Sequence, residues 1–190
     1  MEGKTGWLHV ASTKDLTYYH VDEKRGKDAF EHIGILSEYK GTVIHDCLPS
    51  YFKYDISHGL CNAHILRELR YVSEEMNQPW ASEMSNLLKI GLSKKEESGI
   101  PDAEEYAEYE RNYKEILSRG KEQQPPSVPK QEGRRGREAK SKSLNLIERL
   151  EHHQESVLAF LRKKEVPFTN NLNSRYIFDL HAIILSNYCS

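Results

Sequence analysis

The hydrophobic period of the chain changes along its length, and that change constrains the fold more than any single motif. From Thr5 to Ser12 (TGWLHVAS) the residues alternate, with Trp7, His9 and Ala11 on one face and Leu8 and Val10 on the other. Alternation of this kind is the mark of a strand. Lys14-Asp15 reads as a turn into a second strand, Thr17 to Val21, so a hairpin is predicted. Gly26 to Tyr39 carries Phe30, Ile33 and either Gly34 or Leu36 at helical spacing, and Lys40-Gly41 ends it. Thr42 to His45 is then a short apolar, β-branched strand. Strand, strand, helix, strand with short connections predicts an α/β fold with a mixed sheet.

Beyond Asn62 the period is helical. Ile65, Leu66, Leu69 and Val72 mark a first helix, from Ala63 to Met76, and Trp80, Met84, Leu87 and Leu88 mark a second after Pro79. Asp102 is a predicted N-cap, following the break at Ser98 to Pro101. The third helix shows Tyr106, Tyr109, Tyr113 and Ile116 at three- and four-residue spacing, most simply a packing face, with an aromatic ligand platform as the lesser alternative. Residues 121–143 (KEQQPPSVPKQEGRRGREAKSKS) hold three prolines, two glycines and seven Lys or Arg against three Glu. With no apolar periodicity they read as a linker. Leu144 to Lys163 reads as one amphipathic helix through Ile147, Leu150, Val157 and Leu161. The predicted divisions are therefore residues 1–61 (α/β core), 62–120 (helical insertion), 121–143 (basic linker), 144–175 (C-terminal helix and final motif) and 176–190 (tail).

The net charge is −2, so any attraction to nucleic acid must be local. No run reaches the eighteen or more apolar residues of a bilayer span, the N-terminus is unlike a signal peptide, and the three cysteines have no framework spacing. These features predict a cytosolic, reduced protein without membrane partners.

Three places carry chemistry. Asp46 follows a strand, where α/β sheets gather reactive side chains, although composition alone favours an aspartate that starts the turn before Pro49. Cys47, Cys61 and His64 include one tight pair, C-x2-H, without the second pair that tetrahedral zinc ordinarily has. Arg134, Arg135, Arg137, Lys140 and Lys142 are either a solvated linker or a set of phosphate contacts, which add salt-sensitive affinity without reading sequence.

The motifs HDCLPSYFKY, LCNAHILREL, GRRGREAKSKSLNLIERL and VPFTNN occur in this order. From about Lys4 to Arg175 the chain resembles the catalytic region of the insertion-sequence-66 family of bacterial transposases. That resemblance implies a ribonuclease-H-like mixed sheet with a large helical insertion and membership of the DDE class. In that class three carboxylates hold two divalent ions, Mg²⁺ or Mn²⁺, for DNA strand cleavage and transfer. It implies that Asp46 is the second catalytic aspartate and a metal ligand. It further implies that Cys61 and His64 belong to a C-x-A-H element, that Arg67 faces the same cleft, and that Asn170 and Asn171 are the paired asparagines of the final motif. The implied partners are the ends of the element, target DNA, and other element-encoded proteins or an intact transposase, in the bacterial cytoplasm.

Two departures shape the expectation. The first aspartate of the family stands in a strand upstream of a hairpin like GKTGWLHV, and this chain starts at Met1-Glu2-Gly3-Lys4, so that N-terminal strand is expected to be missing. Ser174 occupies the place of the final glutamate, and serine carries no charge at neutral pH. The resemblance thus leaves one carboxylate of three and predicts a truncated, inactive copy, with a non-catalytic DNA- or partner-binding role as the alternative.

Overall fold

The computed structural model describes residues 6–124, 140–170 and 181–186, the last stretch as backbone only. The described residues form a mixed α/β chain with one five-stranded sheet. The chain divides into two compact units, residues 1–64 with 155–190, and residues 65–154.

The first unit holds the sheet. β1 (Trp7–Ser12) and β2 (Thr17–Asp22) form the predicted antiparallel hairpin, with Trp7 opposite Asp22 and Ser12 opposite Thr17. Its turn is closed by Thr13, whose amide donates to the Leu16 carbonyl and whose hydroxyl accepts from the amides of Asp15 and Leu16. β3 (Thr42–His45) is fully buried and pairs in parallel with β4 (Ser57–Leu60). β3 does not touch the hairpin directly. β5 (His181–Ser186) lies between them, parallel to β1 and antiparallel to β3, giving the order β2-β1-β5-β3-β4. The sequence reading gives residues 176–190 only as a divergent tail and assigns no strand to residues 57–60; the sheet contains strands from both.

The helix predicted over Gly26 to Tyr39 is two pieces, α1 (Lys27–Ile33) and α2 (Ile35–Glu38). Gly34 separates them at φ +72°, a left-handed conformation that caps α1 through the Phe30 carbonyl and suits glycine best. Phe30 and Leu36 are buried against Ala11, Val43 and Tyr51 on one face of the sheet. On the other face Ile44 packs over Gly59, beside Ala159 and Val166. A methyl group at Gly59 would stand 2.5 Å from the Ile44 δ-carbon, so the close approach explains this glycine in a strand.

The second unit is helical. α3 (Asn62–Glu75) leads into α4 (Pro79–Ser98), with Pro79 in its first turn, and α5 (Ala103–Glu122) begins at Asp102 as predicted. The Asp102 carboxylate accepts from the amides of Glu104 and Glu105, and Glu105 accepts from the Asp102 amide, completing a capping box. The tyrosine stripe is packing. Tyr113 is fully buried and donates to the Leu150 carbonyl at 2.9 Å, and Tyr109 donates to the Leu87 carbonyl at 2.6 Å.

The helix predicted over Leu144 to Lys163 breaks into α6 (Lys142–His152), α7 (Gln154–Val157) and α8 (Ala159–Arg162). α6 packs against α5, within the second compact unit. Gln78 accepts hydrogen bonds from the Trp80 indole, Gln124 and Ser143 in the unit's core. Gln124 also accepts from the Ser141 hydroxyl at 2.9 Å, which ties the end of α5 to the start of α6.

Candidate functional site

Three buried polar residues, His45, Asn62 and Asn170, are linked to the end of β3. His45 is the strand's last residue and is fully buried. The Cys47 amide donates to His45 Nδ1 at 3.1 Å, so that nitrogen carries no proton. The Nε2 hydrogen then donates to His58 Nδ1 at 3.1 Å. His58 lies diagonally across the β3–β4 ladder and is held neutral: burial lowers its pKa, with an opposing pull from a backbone hydrogen bond to Tyr54. His45 also stacks on Tyr51, whose hydroxyl is pushed far above its ordinary pKa by burial and, second, by the nearby Asp46 charge. This neutral imidazole pair fixes the turn on which Asp46 sits.

Asp46 directly follows β3, as expected of a carboxylate delivered to a strand end. Its Oδ1 accepts the Leu48 amide at 3.2 Å, so it also starts the turn. Asp46 thus stands just past a strand end and starts a turn at the same place. Its Oδ2 faces the Arg25 guanidinium at 3.5 Å, with Asp46 15% and Arg25 39% exposed. Arg25 lies in turn over the exposed Trp7 ring, 5.2 Å from its centroid. Cys47 adopts φ +71°, unusual for a residue with a Cβ, where the chain turns away from the sheet.

The C-x-A-H element and the final motif come together. The Cys61 amide donates to the His45 carbonyl at 2.9 Å, and the buried Cys61 sulfur accepts the Asn170 amide at 3.4 Å. The Asn62 amide donates to the Phe168 carbonyl, and its side-chain amide to the Val157 carbonyl at 3.2 Å. Asn170 is thus linked through the Cys61 sulfur, and Cys61 through its own amide, to the residue preceding Asp46. His64 opens α3, where its amide donates to the Cys61 carbonyl. Asn171, Ser174, Arg134, Arg135 and Arg137 lie outside the described residues.

The remaining basic residues are placed in the helical unit. Lys140 pairs with Glu148, and Lys142 lies over the Tyr71 ring at 4.6 Å from its centroid. Arg67 lines a surface groove there with Glu68, Tyr71, Lys142 and Arg149. Arg149 is paired with Glu68.

Among the described residues, the side chains around Asp46 do not form a donor set for a pair of divalent ions. Among the described residues no three His, Cys, Asp or Glu side chains gather where a metal ion could be held. Asp46 faces a guanidinium, and two-metal chemistry needs several carboxylates to offset the ions' charge.

Sequence reasoning missed Arg25, His58 and Asn62. Arg25 stands in a loop and follows no period. His58 belongs to a strand with only four residues and a glycine. Asn62 was passed over inside its motif, although a polar residue that is 1% exposed needs partners.

The family model described as Transposase IS66 family matches residues 1–177 of the chain. The chain belongs to the IS66 transposase family. Comparison with curated proteins and with solved structures gave no match. The match covers β1 to β4, Asp46, the Cys61 element and Asn170, and it ends before β5. No helix among the described residues is long and apolar enough to cross a membrane.

Proposed function

We propose that the chain acts in DNA transposition as a ribonuclease-H-like region of a DDE-class transposase, and that on its own it binds DNA without cutting it. Support for the ribonuclease-H-like reading comes from the mixed sheet, with Asp46 at the carboxyl end of a buried strand and the final motif brought back beside it. The observation that carries the non-cutting reading is the contact of Asp46 with Arg25, with no group of three His, Cys, Asp or Glu side chains placed to hold a metal ion among the described residues. Serine at position 174 supports the same conclusion. The family resemblance assigns Mg²⁺ or Mn²⁺ to the intact site; the side chains described around Asp46 do not supply that donor set.

DNA binding is assigned to the basic segment. Replacing Arg134, Arg135 and Arg137 together by Ala is expected to weaken binding to all sequences alike. It should flatten the salt dependence by up to about 2.7 units, at roughly 0.9 per phosphate contact. An unchanged slope would reduce the segment to a linker. The cutting question is decided by incubating the purified chain with a duplex carrying the element's terminal sequence and Mg²⁺ or Mn²⁺. Salt-sensitive binding without nicks is expected. Nicking that disappears in Asp46→Asn would make this chain an enzyme and overturn the proposal.

A further inference from the structure

β5 is the central strand of the sheet, and it comes from outside the part of the chain that matches the family. Ile184 pairs with Ser12 of β1 on one side and with Ile44 of β3 on the other. Remove β5 and the sheet becomes two separate pairs, the β1–β2 hairpin and the parallel β3–β4 pair. A two-stranded piece is marginal in water, and three or more strands are needed for independent stability. β5 therefore joins two pieces that do not pair with each other.

The slot has a further property. β5 is parallel to β1 and antiparallel to β3, so β1 and β3 run in opposite directions. Any strand placed between them has one parallel and one antiparallel neighbour, whichever way it points. Main-chain hydrogen bonding on both sides does not depend on sequence, so the demands on the occupant are modest: extended backbone and a largely apolar, uncharged composition. Ala182 to Leu185, with two β-branched isoleucines and no charge, meets them.

We propose that the space between β1 and β3 is a strand-accepting site, filled in this chain by its own β5 and able to take the same segment from a second copy. This does not rest on the DNA-binding role.

Two measurements test it. In the full chain, hydrogen exchange should find the amides of Thr42 to Ile44 as protected as those of the β1–β2 ladder; exchange typical of an exposed edge would overturn the proposal. In the second, Ile184→Pro removes one backbone donor from β5 and restricts the strand. A fluorescent peptide spanning residues 178–188 is titrated into the variant and the parent. The variant should bind it about tenfold or more tightly than the parent, whose slot is occupied by a tethered competitor at millimolar effective concentration. A peptide with proline at both isoleucine positions should not bind. Equal binding to variant and parent, or no binding to the variant, would overturn the proposal, and so would a variant that stays unfolded when the peptide is added.

Discussion

The two compact units solve the problem of burying polar groups differently. In the sheet unit His9, Ser12, Thr42, His45, Asn62 and Asn170 are all buried, and Thr42, Asn62 and Asn170 find partners more than ninety residues away in sequence. Asn62 bonds to Val157 and Phe168, and Cys61 to Asn170. In the helical unit, the buried polar residues Gln78 and Ser143 belong to one knot around Trp80, inside an unbroken stretch of chain. Apolar stripes assemble that unit, and the knot trims it. In the sheet unit His45, Asn62 and Asn170 instead come together at the end of β3 through the Cys61 amide and sulfur.

The contrast predicts where damage should be greatest. Trp80 is fully buried, and a methyl group at Gly120 would stand 2.9 Å from its ring. Trp80→Ala should destabilise the helical unit by about 3–5 kcal/mol, and Trp80→Phe by less. Hydrogen exchange at α4 and α5 would show the loss; unchanged protection would mean that stripe packing does not carry this unit. Asp102→Ala removes the capping box of α5 and should cost about 1 kcal/mol in a denaturant titration. A neutral result would show that tertiary packing alone sets where α5 begins.

The smallest effect separates the two units by pH. Burial lowers the pKa of His58, so the unfolded chain takes up a proton there first as pH falls through about 6.5. Stability from this group is complete above that value and declines below it, because protonating His58 Nδ1 would oppose the His45 hydrogen. The Asp22–His32 contact has the opposite sign over part of this range. Hydrogen bonding to His32 lowers Asp22 to about 2, while Asp22 raises the pKa of His32. That contribution is present above the ordinary aspartate range and is lost as pH rises through the raised histidine value. Protection of β3 and β4 amides should therefore fall between pH 7 and 5, and His58→Asn should reduce the fall. α4 and α5 contain no histidine and should hold steady.

Legibility in the sequence follows the same division. The hairpin, β3, the helices of the second unit and the Asp102 cap all carry local signals, and each forms close to its predicted place. The break at Gly34 was harder, because apolar spacing continues across it. The helix predicted to Lys163 fails for a different reason: Val157 to Leu161 are all buried, so no single face organises them and the segment packs as short turns. β4 and β5 are defined by strands far away in sequence. At the site, the strand-end position of Asp46 was readable, whereas the Arg25 that faces it comes from a loop with no pattern to betray it.

The middle position of β5 also has a consequence in time. During synthesis the helical unit is complete by residue 154, whereas β4 ends at Leu60 and β5 begins at His181, about 120 residues later. At about 5–20 residues per second, that interval is roughly 6–24 s. For that period the hairpin and the β3–β4 pair wait with the edges of β1 and β3 unpaired, open to any passing extended chain. The sheet that carries the family's motifs is the last part of the molecule to close.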